Sequence, residues 1–248
     1  MTYRNLLAAA ALCLCSASLF AAVPTPTPND DGTYDLAESS VYLAWLKAQP
    51  NYDYSAHKTE LAQAFFWRKY VQNRNNEFSL QGVLEKAAAE VETAVDGWPK
   101  DTIFRIRTSA EFGEYDFDAE KFAFGPVENG VYYSVPKGRE LYEASPVGLT
   151  TGYVITIADA VDIDGLAVPV DQAKAMIERR TSRSGRVNRN VVVIYTIEVL
   201  SAGTTQIDYT GRDVKELKGR ISSAKAYAVG DRQPVSEDAL LASWPAGS

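Results

Sequence analysis

Cysteine is almost missing from this chain: there are two, Cys13 and Cys15, both within the first fifteen residues. Beyond that point no disulfide framework, cysteine nucleophile or thiolate metal site can exist. Histidine is scarcer still, with His57 alone. One imidazole supplies too few of the usual ligands for structural zinc, and haem and iron–sulfur ligation fare no better. A Ser-His-Asp triad would have to use His57, yet no G-x-S-x-G turn offers the serine. No P-loop or glycine-rich dinucleotide fingerprint is present, so no cofactor is expected. Basic residues are in the minority, 25 against 32 acids, giving a net charge of −7. That balance argues against nucleic acid or anionic lipid as a bulk partner. Long apolar runs are also lacking. The longest, Leu6 to Cys15, has ten residues, against the ~20 that a membrane-spanning helix needs.

That short run has a basic start at Arg4 and a small-residue exit at Ala21 and Ala22, the build of a cleavable secretory signal. Residues 1–22 are therefore expected to be a signal peptide, and the protein to be periplasmic or secreted from a bacterium. A lipid anchor on Cys13 or Cys15 would want a small residue just before the cysteine, and Leu12 and Leu14 stand there instead. Cleavage after Ala22 removes both cysteines and leaves a chain without a transmembrane segment, long enough for one domain with its own core.

Residues 23–34 open with VPTPTPNDD, whose alternating prolines suit an extended, solvated tether. Residues 35–248 read as a single α+β domain: a helical part over 35–98, a sheet part over 101–230 and a tail over 231–248. Asp35 and Glu38 have capping-box spacing before a stripe of Val41, Tyr42, Trp45 and Leu46. A second helix is expected over Ser55–Arg74. The third carries Leu80, Val83, Leu84, Ala87, Ala88, Val91, Ala94 and Val95 at helical spacing, stopped by Gly97 and Pro99. The period then shortens. Strands are expected at Thr102–Thr108, around Tyr115 and Phe122, at Tyr153–Ile157, at Val191–Leu200, at Thr205–Thr210 after a turn at Gly203, and at Ile221–Val229. Asn129-Gly130 is a hairpin-turn signal before the strand at 131–135. A short helix opens at Val170, and another helical turn is expected over Ser236–Trp244. N-terminal helices on a mostly antiparallel sheet, with one short helix inserted between strands, is the architecture this order predicts.

Tyr70, Asn76-Glu77-Phe78, the run FGEYDF at Phe112 to Phe117, and Phe122 beyond it resemble an uncharacterised family, a domain of unknown function found in bacterial exported proteins. The resemblance implies no activity and no site.

Several constellations invite chemistry and have plainer readings. Ser55-Ala-His-Lys58 matches the S-x-x-K of penicillin-recognising enzymes, but Ser222-Ser-Ala-Lys225 matches equally, and S-D-N and K-T-G are missing. Asp159, Asp162 and Asp164-Gly165 fail the calcium-loop spacing and suit a turn. Asp116 and Asp118, if on one strand face, are the carboxylates a hydrolase could pair; a solvated sheet edge explains them as well.

The unusual feature is basic. Arg179, Arg180, Arg183, Arg186 and Arg189 fall within eleven residues of an acidic chain, at a helix end and in a Ser/Gly/Asn-rich loop. Guanidinium forks bind carboxylate and phosphate bidentately, which makes these five a candidate anion or partner site. Arginines also favour a helix C-terminus and pair with surface acids, which would need no ligand. The sequence thus points to a non-catalytic binding or interaction module of the cell envelope, with an acidic protein or anionic envelope component as partner. A carboxylate-dependent secreted hydrolase is the alternative.

Overall fold

The β-branched run after Asn190 sets the frame, since Val191, Val192 and Val193 are buried on both faces and demand a central strand. In the computed structural model, which describes residues 22–125, 127–135, 152–207, 212–230 and 232–245, that run begins β8 (Asn190–Ile207), hairpinned to β9 (Arg212–Tyr227). The signal-peptide expectation over 1–22, apart from Ala22, and the end of the strand expected at Thr205–Thr210 lie outside the described residues.

Ten strands and five helices are described. The main sheet has the order β1 (Tyr34–Asp35), β2 (Ile103–Glu111), β8, β9, β6 (Tyr153–Asp159), β5 (Tyr132–Ser134), with β10 (Leu240–Pro245) also on β9. Pairing is antiparallel except β1 with β2 and β6 with β9. β6 occupies the free side of β9 along Lys215–Arg220 and β10 takes over along Ser223–Tyr227. A small second sheet joins β3 (Tyr115–Asp116), β4 (Lys121–Phe122) and β7 (Leu166–Ala167).

The helical part is α1 (Glu38–Lys47), α2 (Lys58–Phe65), α3 (Trp67–Asn73) and α4 (Glu77–Asp96); α5 (Val170–Arg180) is the inserted helix. The α+β class and largely antiparallel sheet agree with the sequence reading. In α4 the expected stripe is buried at Val83, Leu84, Ala87, Ala88, Val91 and Val95 and half-buried at Leu80 and Ala94, with Asn76 accepting from the Ser79 amide as N-cap.

Five local expectations are corrected. α1 is not striped: Glu38 to Leu46 are all buried, because the helix packs on β6, β8 and β9 on one side and on α4 on the other. Its N-cap is Ala37, whose amide donates to the hydroxyl of Ser40 in the first turn at 3.1 Å, while Asp35 belongs to β1. The second helix breaks at Phe66 (φ −133°, ψ 34°), which lets both Phe65 and Phe66 reach the core; an unbroken helix would turn one of them away. Gly203 does not turn the chain but pairs with Glu216 in mid-strand. The expected C-terminal helix is a single 3-10 turn, Glu237–Ala239, followed by β10, whose backbone groups are claimed by the edge of β9.

The proline-rich stretch is extended, as its composition implies, but it is anchored. Val23 is only 6% exposed and belongs to the core, and Tyr34 and Asp35 add the parallel strand β1. The Asn129-Gly130 turn is present, with Gly130 at φ +84°, yet the strand after it pairs with β6 rather than with the strand before it.

Candidate functional site

Helix α5 delivers the arginines. Ala173 and Met176 hold its inner face in the core, which leaves Arg179 and Arg180 at its C-terminal end, where cations oppose the negative end of the helix dipole. The following loop is not a loose tether but a small closed hairpin. Thr181 bridges Val187, the Ser182 amide donates to the Arg186 carbonyl at 2.8 Å, and Gly185 at φ +80° makes the reversal.

The five guanidinium groups divide into two kinds. Arg180 donates to the carbonyls of Asn190 (2.6 Å) and Asn188 (3.4 Å), and Arg189 donates to the Gly113 carbonyl. Both lie over the Phe112 ring, 5.9 and 5.5 Å from its centroid. Burial, and then the charge of Arg179, push the Arg180 guanidinium below its ordinary value. Arg179 spends only Nε, on the Ala175 carbonyl of its own helix. The side chains of Arg183 and Arg186 make no hydrogen bond, and no carboxylate lies within 4 Å of any of the five, among the described residues. Arg179, Arg180, Arg186 and Arg189, with Thr181, Ser182, Asn188, Asn190 and Glu111, line a concave site of about 520 Å³. Arg183 stands apart from it, on the exposed tip.

A second polar centre had no motif to announce it. Lys215, on β9, is 9% exposed, and its ammonium lies 2.7 Å from Glu60 of α2, 4.4 Å from the Trp45 ring centroid and 5.3 Å from that of Tyr42. The Tyr42 hydroxyl donates to the same Glu60 oxygen at 2.9 Å. Burial alone would raise the Glu60 carboxyl, but hydrogen bond and charge from Lys215, with the Tyr42 hydroxyl, outweigh it and hold the group below its ordinary value. Burial drives the Tyr42 hydroxyl far above its own. The one signal in the sequence is phase: Lys215 falls in step with Leu217 and Ile221, which are inward on β9. The geometry ties α1 and α2 to β9, so its role is cohesion.

The remaining candidates are scattered. His57 is the exposed N-cap residue of α2, stacked on Tyr52. The Ser55 hydroxyl donates to Asp53 and Lys58 reaches Gln81, so the S-x-x-K pair does not meet; at the second match Ser222 donates to the Thr196 carbonyl while Lys225 faces Glu237. Asp116 and Asp118 do not share a strand face, because β3 ends at Asp116, whose carboxylate accepts the amides of Asp118 and Ala119 in a turn. Asp164 pairs with Lys121, and Gly165 makes the turn at φ +97°. Among the described residues no three His, Cys, Asp or Glu side chains converge as a metal would require, and no helix is long and apolar enough to cross a membrane.

Residues 62–138 match the model of a family described as a domain of unknown function (DUF4852). The match runs from within α2 to just past β5 and contains Tyr70, Asn76–Phe78, Phe112–Phe117 and Phe122; the arginine hairpin lies outside it. No curated protein and no solved structure matches the chain.

Proposed function

We propose that this protein is a non-catalytic binding module of the bacterial cell envelope, exported by its N-terminal signal, and that the arginine hairpin is its recognition site for an anionic partner. One observation carries the reading: Arg179 and Arg186 line one concave site, Arg183 stands at the exposed tip of the closed hairpin beside it, and among the described residues none of the three has a carboxylate within 4 Å. Like charges gathered in this way repel one another, and although Glu111 also lines the site, it forms no ion pair with any of them. Arginines that merely balanced surface acids would show those acids.

The test is Arg183→Glu with Arg186→Glu. Among the described residues neither side chain takes part in a hydrogen bond, so the double variant should unfold at the wild-type temperature. Its association with solubilised envelope components should fall at least about tenfold at ~0.05 M salt, and wild-type association should itself weaken near 1 M, where the screening length is about 3 Å. Equal retention of both proteins at both salt levels would remove the hairpin as a recognition site.

A further inference from the structure

The donors left unused at this site narrow the chemistry of what it takes. We propose that the cavity beside the hairpin binds a phosphate-bearing ligand, a phosphomonoester or diphosphate, clasped between the guanidinium groups of Arg179 and Arg186; this rests on the reading of the hairpin as a recognition site.

Of the four arginines lining the cavity, two are walls. Arg180 and Arg189 are fixed on backbone carbonyls and on the Phe112 ring. The other two are available: among the described residues only the Nε of Arg179 is engaged, which leaves both its terminal nitrogens, and the Arg186 side chain keeps every donor it has. A carboxylate presents two oxygens in one plane and offers one edge that matches a fork bidentately. A phosphate monoester presents three oxygens in tetrahedral directions and carries about −1.5 to −2 charges at neutral pH, so it can engage two forks at once. Charge points the same way. Four arginines and one acid, Glu111, line the site; Glu111 opposes any anion, and a doubly charged one is better able to offset that repulsion. Size separates a small molecule or headgroup from a folded partner. The cavity of about 520 Å³ falls in the usual range for small-ligand sites, roughly 300–1,000 Å³. A folded acidic protein would instead meet the convex tip, where Arg183 stands outside the cavity.

The experiment uses the full mature chain and Arg179→Ala with Arg186→Ala, comparing thermal unfolding and calorimetric titration with pyrophosphate and with poly-glutamate. Pyrophosphate should bind the wild type and raise its unfolding temperature, and should bind the double variant at least tenfold more weakly. Poly-glutamate should do neither. Flotation with phosphatidic acid vesicles but not with phosphatidylcholine would identify the phosphate as a lipid headgroup; pyrophosphate binding without flotation would identify a soluble one, and both outcomes uphold the proposal. Binding of poly-glutamate without pyrophosphate would overturn the phosphate class while leaving the hairpin a recognition site. Binding of neither would overturn both readings, and undiminished pyrophosphate binding by the variant would move the site elsewhere.

Discussion

Lys215 shows how a single side chain can be placed against its own chemistry. A lysine this buried is stable only where its charge is answered, and Glu60, Tyr42 and Trp45 answer it from two helices. Lys215→Ala leaves the partly buried Glu60 carboxylate without its cation and should destabilise the fold by about 3 kcal/mol, toward the lower end for a broken buried pair. The pH dependence follows from Glu60, whose folded-state value lies below its ordinary 4.5. A depressed carboxyl stabilises the fold above its unfolded value and loses that contribution as pH falls through the folded one. The stability gap between wild type and Glu60→Gln, measured by urea unfolding, should therefore be constant near neutrality and shrink as pH drops below about 4.5. A gap that widened on acidification would mean that Glu60 is not held ionised by Lys215.

At the scale of the element, α4 and the β8–β9 hairpin carry most of the architecture. Val91 sits fully buried in the middle of the α4 stripe. Val91→Asp would place an unpaired carboxylate there, at a cost of at least about 3 kcal/mol read by thermal or urea unfolding; unchanged stability would contradict the helix register. The hairpin carries register shifts after Thr196 and Val199, and such bulges bend and twist a long ribbon. It is also tied to α1, because the Trp45 indole donates to the Gly203 carbonyl at 2.7 Å. Glycine there looks like a turn in the sequence, and within the sheet it is a docking point for a helix.

For the molecule as a whole, the N-terminal stretch tests where the folded unit begins. Val23 is packed in the core although prolines follow it directly. A chain starting at Asp30 instead of Val23 should lose that burial, about 1.5–2 kcal/mol of stability for a valine, whereas a free tether would cost nothing. Charge is also organised at this scale. The chain is acidic overall, yet four arginines and a single acid, Glu111, line one site, and among the described residues no carboxylate lies within 4 Å of those guanidinium groups; the proposed recognition rests on that local reversal of sign.

Periodicity determined much of this protein by itself. The α4 stripe, the Val191–Ile197 strand, the inserted α5 helix and the clustering of the five arginines all rest on residues close in sequence, and a repeat of 3.6 or 2 reports directly which face is apolar. Tertiary structure decided the rest, because it turns on partners far apart in the chain. The break at Phe66 answers a core that takes two consecutive aromatics, and β10 forms because β9 has an edge left over beyond β6. Lys215 is inward because Glu60 meets it from another element. Which arginines are walls and which are available was fixed by the carbonyls of Gly113, Asn188 and Asn190. A charged side chain's local sequence says that it is charged; only the packed molecule says whether anything within 4 Å satisfies it.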